Sequence, residues 1–140
     1  MIKDFYSWAG SQCRHSYTSW WDHDAQHCPK LVNANDHPNR VAVRYGKSTQ
    51  QYTSLLDLWN QYYQEWEEQT FPHLTTRFED LLFHGEEVTR AACDCVGGVF
   101  TDDFQYVEES AKRTVGVHKG ANGLVKAMLQ YGDPSKRLTG

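Results

Sequence analysis

The sequence has no long apolar run, no excess of basic residues and few cysteines. None of its apolar stretches approaches the roughly 18–20 residues that a helix needs to cross a bilayer, so we expect no membrane span. The 140 residues include 14 Lys and Arg against 18 Asp and Glu, which gives a net charge of −4. Nucleic-acid binding requires clustered cations, whereas these basic residues are scattered, so we expect no nucleic-acid partner.

The four cysteines are too few for a scaffold held together by disulfides. Cys13 and Cys28 either pair in an oxidising compartment or stay reduced, and the sequence leaves both alternatives open. Cys93 and Cys95 are predicted on different faces of a helix, where they pack rather than form a redox pair. The early His and Cys residues lack the ligand spacing of structural zinc sites, so we expect no metal site.

The length and the aromatic content of the chain favour a folded core. A chain of this length buries enough surface to fold without a metal or a disulfide. Aromatic residues make up 14% of the sequence, and each of them buries a large area. We therefore expect one globular domain over residues 1–140.

The clearest periodic pattern covers residues 52–66, and we predict a helix over residues 50–67. Apolar and aromatic side chains recur there at i, i+3, i+4 and i+7, which is the spacing of one helix face. We expect that face to be buried, and its members are Tyr52, Leu55, Leu56, Trp59, Tyr63 and Trp66. Residues 41–45, which are rich in Val, and residues 74–78, which follow the helix-ending Pro72, are predicted to be extended.

Two further helices are predicted in the second half of the chain. One covers residues 86–97 and stops at Gly97 and Gly98, since glycine commonly ends helices. The other covers residues 121–131, ends at Gly132 and turns four apolar side chains inward, namely Leu124, Val125, Met128 and Leu129. A first helix, from Tyr6 to about Trp20, has a weaker pattern. Strands that alternate with helices predict an α/β fold.

Gly46, Lys47 and Ser48 look like the end of a phosphate-binding P-loop. That motif needs another glycine five residues before Gly46, and Val41 stands at this position. We therefore interpret the three residues as a turn.

Lys3 and Ser11 form a pattern that suits a phosphate. Lys3 stands at the end of a predicted strand, and Ser11 follows eight residues later near a predicted helix start. A cation and a hydroxyl in these places can hold a phosphate from two sides. The alternative interpretation is an ordinary strand end and an ordinary helix cap.

A later segment, Arg77-Phe78-Glu79-Asp80-Leu81-Leu82, is followed by the predicted helix over residues 86–97. Together with the pattern of Lys3 and Ser11, this order resembles the P-loop sulfotransferase family, and in particular its carbohydrate-type and algal members. The resemblance covers about residues 2–132. It implies a partial P-loop-type three-layer α/β fold, in which helices flank a short parallel sheet.

The resemblance also implies a function and a set of site residues. Members of the family transfer a sulfuryl group from 3′-phosphoadenosine 5′-phosphosulfate to an acceptor hydroxyl, and carbohydrate-type members use a carbohydrate acceptor. By position, the residues on the 3′-phosphate and adenine side of this co-substrate are Lys3, Ser11, Phe78, Arg113, Lys119 and Gly120. The last three belong to a basic loop, for which a solvated surface loop is an equal alternative.

This sequence departs from the family pattern near its start. Lys3 replaces an arginine and Phe5 replaces a proline, so a positive charge remains while the planar fork that grips phosphate is lost. The family's 5′-phosphosulfate loop and its catalytic base would precede Lys3. We therefore expect the chain to correspond to the later part of the domain and to be inactive alone, and we assign no catalytic residue.

A second hypothesis is a non-catalytic structural or interaction subunit built on a degenerate sulfotransferase fold. Its support is the number of large aromatic side chains, which include Trp20, Trp21, Trp59 and Trp66. An incomplete sheet leaves an edge and an aromatic face that a protein partner would cover. The carbohydrate-type resemblance implies the Golgi lumen or the secretory pathway; otherwise the cytoplasm or an organelle remains open.

Overall fold

The computed structural model describes residues 1–106 and 123–137 and shows a mixed α/β protein. It contains two compact units. The sheet unit comprises Asp4–Thr70, and the helical unit comprises Met1–Lys3 and the described residues from Phe71 onward. Among these residues, no helix has the length and apolar character that crossing a bilayer requires.

Nine elements follow one another along the described chain. The sheet unit holds α1 (Phe5–Arg14), β1 (Ser19–Trp20), β2 (Val41–Tyr45), β3 (Ser48–Tyr52) and α2 (Leu55–Glu67). The helical unit holds α3 (Phe78–Phe83), α4 (Gly85–Val96), α5 (Leu124–Tyr131) and α6 (Pro134–Arg137).

The three strands form an antiparallel sheet in the order β1-β2-β3. Trp20 lies opposite Ala42, and Val41 lies opposite Tyr52. The prediction of an extended segment over residues 41–45 is confirmed. Gly46 and Lys47 form the turn between β2 and β3, and Gly46 has a positive φ of +59°, which a tight hairpin requires. The interpretation of residues 46–48 as a turn is therefore confirmed.

The antiparallel sheet differs from the short parallel sheet that the sulfotransferase resemblance implies. Only two residues connect β2 to β3, and a parallel crossover needs about a dozen or more. The same hairpin explains why the predicted helix over residues 50–67 was wrong at its start, because residues 50–52 belong to β3. The described residues thus confirm the α/β class and assign these three strands to an antiparallel meander.

The start of α2 is fixed by hydrogen bonds on both sides of its N-terminus. The Ser54 hydroxyl accepts from the Asp57 amide (2.9 Å), and the Asp57 carboxylate accepts from the amide and the hydroxyl of Thr53 (both 2.8 Å). This reciprocal cap satisfies amides that have no partner within the helix. Hydrogen bonds to the Asp57 carboxylate from the Thr53 amide, the Gln61 side chain and the Thr53 hydroxyl hold the pKa of Asp57 below its ordinary value.

The core of the sheet unit lies between the sheet and α2. It contains Trp21, Val41, Val43, Tyr52, Leu55 and Leu58, and the partly buried side chains that pack on it are Phe5, Trp8, Cys28 and Leu31. Leu55 is only 2% exposed and Val41 is fully buried. Apolar side chains from both faces of this contact therefore leave water together, which is the main favourable contribution to folding.

The predicted buried stripe is only partly correct. Tyr52 and Leu55 are buried as expected, and Trp59 and Tyr63 are half-buried, but Leu56 is 47% and Trp66 is 52% exposed. Each helical residue rotates by about 100°, so Leu56 falls on the flank of the face that carries Leu55. Trp66 lies on that face, but three turns beyond Leu55, and the core cluster extends along α2 only to Leu58.

A disulfide connects α1 to the long segment that precedes β2. Cys13 and Cys28 are bonded, with their Cα atoms 5.8 Å apart, which decides between the two alternatives that the sequence left open. The first helix ends at Arg14, so its predicted extension to Trp20 was wrong, because Trp20 belongs to β1. The disulfide thus ties a helix end to a segment with little regular structure.

The helical unit begins with a contact between the chain start and Arg77. Ile2 and Arg77 form a parallel bridge, so the predicted extended segment over residues 74–78 is confirmed at Arg77, whereas Phe78 already begins α3.

α4 matches the predicted second helix, and Gly97 ends it with a φ of +69°. Gly85 begins α4 against the Tyr106 hydroxyl, which accepts its amide proton at 2.7 Å.

The third predicted helix is confirmed from residue 124 onward, as α5. Residues 121 and 122 lie outside the described residues. Leu124 and Met128 are half-buried as expected, but Val125 and Leu129 are exposed, so their predicted inward orientation was wrong. α5 contacts α3 and α6. These two contacts leave part of the apolar surface of α5 uncovered.

Leu55 and Leu56 are adjacent residues of one type with opposite burial, which gives a matched pair of substitutions. We expect Leu55→Ala to lower the free energy of unfolding by roughly 2–5 kcal/mol, because it leaves a cavity in the core. Leu56→Ala should change it by less than about 0.5 kcal/mol. Urea denaturation followed by circular dichroism measures both values, and similar losses for the two variants would contradict this core.

Reduction of the Cys13–Cys28 disulfide should destabilise the sheet unit. The bond closes a loop of 15 residues, and loops of that size contribute about 3 kcal/mol by the chain-entropy estimate. We expect dithiothreitol to lower the melting temperature of the wild type and of a Cys93→Ser/Cys95→Ser variant. It should leave a Cys13→Ser/Cys28→Ser variant unchanged, and a reductant-sensitive melting temperature in that variant would refute the pairing.

Candidate functional site

Lys3 lies beside two aromatic rings in the helical unit. Its ammonium nitrogen is 5.2 Å from the centroid of the Phe78 ring and 5.0 Å from that of Tyr131. The ammonium also donates a hydrogen bond to the Tyr131 hydroxyl at 3.2 Å. The two rings meet edge to face, with centroids 4.9 Å apart. We call these three residues the Lys3 cluster.

Two backbone hydrogen bonds bring Lys3 to this position. The Ile2 amide donates to the Thr76 carbonyl, and the Phe78 amide donates to the Ile2 carbonyl, both at 2.7 Å. Ile2 is therefore held between the two neighbours of Arg77, as in a parallel pair of strands. Lys3 and Phe78 each follow this bridge by one residue, and for that reason they are neighbours. Tyr131 completes the cluster as the last residue of α5.

The Lys3 cluster combines a cation with aromatic surface. All three residues are half-buried, so each keeps part of its surface accessible to solvent. Each ring attracts the ammonium through its electron-rich face, which restricts the long side chain of Lys3. A phosphate or sulfate group can bind the ammonium, and a planar heterocycle can stack on a ring.

Arg77 and Asp80 form a bidentate ion pair next to the cluster. The guanidinium donates from Nε at 2.9 Å and from Nη2 at 2.6 Å to the two carboxylate oxygens. These hydrogen bonds raise the pKa of Arg77 and lower the pKa of Asp80. Asp80 is thus held as a carboxylate in the first turn of α3, where a negative charge stabilises the helix N-terminus.

Ser11 was expected near a helix start, and that expectation was wrong. It is an interior residue of α1, and its hydroxyl donates to the Ser7 carbonyl at 2.8 Å. This local bond to the preceding turn is a common arrangement for serine inside a helix. Ser11 belongs to the sheet unit, whereas Lys3 and Phe78 belong to the helical unit.

Of the predicted site residues, the structure brings Lys3 and Phe78 together. Arg113, Lys119 and Gly120 lie outside the described residues. Tyr131 was missed, because its contact with Lys3 joins positions 128 residues apart and no local pattern predicts such a pair. The only available signal was its place at the end of a predicted helix.

The histidines of the first segment have other contacts. The His27 ring bonds the Asp24 carboxylate at 3.0 Å and lowers the pKa of Asp24, and the His23 ring stacks on Trp21 with centroids 4.1 Å apart. Within residues 1–106 and 123–137, no group of three or more His, Cys, Asp or Glu residues has the arrangement of a metal site.

Comparison with known proteins found no family model, no curated protein and no solved structure that matches this chain. The geometry of the Lys3 cluster and the sequence pattern are therefore the observations that bear on function.

Proposed function

We propose that this chain is the later part of a sulfotransferase-like domain with a P-loop-type three-layer fold. Its Lys3 cluster binds the 3′-phosphate and adenine side of 3′-phosphoadenosine 5′-phosphosulfate, and the complete domain sulfates a carbohydrate hydroxyl. The single observation that carries the proposal is the contact between Lys3 and Phe78. The sequence pattern names these two residues from separate motifs, and they are neighbours in the structure.

The parallel bridge between Ile2 and Arg77 supports the same proposal. In a parallel sheet, neighbouring strands run in the same direction, so the residues that follow two paired positions lie side by side. The bridge is parallel, and it ends where Lys3 and Phe78 begin. It is therefore the kind of contact that such a sheet would contain, although it is a single pair of residues outside the antiparallel sheet.

The chemistry of the cluster suits a nucleotide that carries a phosphate on its ribose. Lys3 supplies a positive charge to the 3′-phosphate, and Phe78 supplies a ring on which adenine stacks. The sequence resemblance adds Arg113, Lys119 and Gly120 as further residues on the phosphate side of the co-substrate. A lysine offers a point charge instead of the bidentate fork of arginine. Phosphate binding through Lys3 is therefore weaker and less directional than binding through an arginine at the same position.

Sulfuryl transfer needs groups that this proposal does not assign to any residue of the chain. The bond between sulfur and the bridging oxygen of the donor breaks, and a bond between sulfur and the acceptor oxygen forms. The hydroxyl proton passes to a base, and the donor leaves as 3′-phosphoadenosine 5′-phosphate. Positioning and charge neutralisation provide most of the catalysis in such a reaction. The Lys3 cluster contributes to the positioning of the donor.

The proposal predicts weak binding of 3′-phosphoadenosine 5′-phosphate that depends on Lys3. We expect millimolar affinity in calorimetry, because one charge-assisted phosphate contact contributes only about 1.5–3 kcal/mol. Lys3→Ala should abolish the binding, whereas Lys3→Arg should retain or strengthen it. Lys126→Ala is the matched control, since Lys126 is an exposed cation of α5 in the same unit and should not affect the affinity.

Two results would overturn this function. The first is micromolar binding that Lys3→Ala leaves unchanged, which would place the nucleotide elsewhere. The second is equal weakening by Lys3→Ala and Lys126→Ala, which would indicate non-specific attraction of an anion. Adenosine 5′-monophosphate, which lacks the 3′-phosphate, should bind more weakly than 3′-phosphoadenosine 5′-phosphate in every variant that keeps Lys3.

The interaction module remains the second candidate, and the exposed aromatic end of α2 favours it. Tyr62 and Trp66 are both about half exposed, and their ring centroids are 6.5 Å apart. β3 also lies at one edge of the sheet, with mostly exposed residues. A chain that binds no nucleotide but self-associates, and loses self-association on Trp66→Ala, would favour this candidate over the first.

A further inference from the structure

The outward face of the antiparallel sheet carries an exposed tryptophan beside polar side chains. Side chains alternate along each strand, so Val41 and Val43 point into the core while Ala42 and Arg44 point outward. The register places Trp20 opposite Ala42, and Ala42 opposite Gln51. This row runs across all three strands, and we call it, together with Arg44, the Trp20 face.

Trp20 is 51% exposed and lies in β1, a strand at the edge of the sheet. Its cross-strand neighbour is Ala42, whose methyl group is too small to cover an indole. Beyond Ala42, the exposed Gln51 offers an amide that both donates and accepts. The face therefore presents an open indole on one edge strand and a hydrogen-bonding amide on the other, with a small side chain between them.

The Trp20 face carries one positive charge, that of Arg44, although the chain as a whole is acidic. The three strands contain no Asp or Glu, and Arg44 and the turn residue Lys47 are both exposed. The Arg44 Nε donates to the Gly46 carbonyl at 3.1 Å, which restrains the guanidinium near the hairpin. Asp22, the nearest acid along the chain after Trp20, is already paired with Lys30 at 2.6 Å.

We infer that the Trp20 face binds a short anionic saccharide. The indole stacks against the apolar face of a pyranose ring, Gln51 bonds its hydroxyls, and Arg44 pairs with a sulfate or carboxylate group. This inference stands independently of the Lys3 cluster, because it uses residues of the sheet unit alone. If both are correct, the saccharide is of the class that the proposed sulfotransferase would use as acceptor.

A single-stranded nucleic acid is the other ligand that combines flat rings with negative charge. Proteins that bind such strands stack successive bases on several aromatic side chains and contact many phosphates. The Trp20 face offers one exposed indole and one cation, Arg44, and Lys47 lies in the turn that follows β2. These numbers favour a short saccharide with one or two charges.

The test is a titration of the full chain followed by NMR of the tryptophan indole N–H groups. The probe is a chondroitin sulfate tetrasaccharide; the neutral probe is an N-acetylglucosamine tetrasaccharide, and the phosphate probe is a thymidine tetranucleotide. We expect the sulfated probe to shift the Trp20 indole signal and leave that of Trp66 unchanged. The neutral probe should bind about tenfold more weakly, because it lacks the charge-assisted contact with Arg44.

Substitutions identify the residues responsible. Trp20→Ala and Arg44→Gln should each weaken binding of the sulfated probe by about tenfold, whereas Trp20→Phe and Arg44→Lys should retain most of it. Trp66→Ala and Arg90→Gln are the controls, because they remove an equally exposed indole and an exposed guanidinium elsewhere. Trp20→Ala should also keep its binding of 3′-phosphoadenosine 5′-phosphate, so failure of this inference is distinguishable from failure of the proposed function.

Three outcomes would overturn the inference. They are the absence of any shift of the Trp20 signal with the sulfated probe, equal affinity in the Trp20→Ala variant, and preferential binding of the thymidine tetranucleotide. Melting curves of Trp20→Ala and Trp20→Phe separate a loss of binding from a loss of folding. If Trp20→Ala does not fold, a tenfold loss in Arg44→Gln together with retention in Arg44→Lys decides the question.

Discussion

The helical unit depends on the pairing of Ile2 with Arg77. Two backbone hydrogen bonds of 2.7 Å form this pairing, and one of them uses the amide of Phe78, the first residue of α3. α3 has no side-chain cap, and the Ile2 carbonyl supplies an acceptor for the first of the amides that have no partner within the helix. The same bond therefore begins a helix and sets Lys3 beside Phe78. Without it, the residues of the Lys3 cluster would share no local connection.

The sheet unit is held by other means. The segment between β1 and β2 has little regular structure, and three features restrain it: the Cys13–Cys28 disulfide, a Trp21 indole bond to the Pro29 carbonyl at 2.8 Å, and the buried Asn39. The side-chain amide of Asn39 donates to the backbone carbonyls of Asp22 and Lys30. Trp21 can therefore enter the core while its neighbour Trp20, on the opposite side of the strand, stays open to solvent.

Local chemistry made part of the fold predictable from the sequence. The valines of residues 41–45, the turn at Gly46 and the helix end at Gly97 each follow from the conformational preferences of single residues. The helical period failed where tertiary contacts decide: Tyr52 pairs across a hairpin, and Trp66 lies beyond the end of the core. Lys3 and Phe78 were predicted as site residues from the family resemblance. Tyr131 could be identified only in the folded chain, because its partner Lys3 is 128 residues away.

The central claim is that Lys3 lies beside the rings of both Phe78 and Tyr131, and NMR of the side chains tests it most directly. Protons within about 5–6 Å of an aromatic centroid, the range of a cation–π contact, lie in the field of the ring. The account predicts that the ε-methylene protons of Lys3 are shifted upfield and show nuclear Overhauser effects to both rings, which Phe78→Leu and Tyr131→Leu each reduce. Lys3 methylene shifts equal to those of an unstructured peptide, without contacts to either ring, would contradict it.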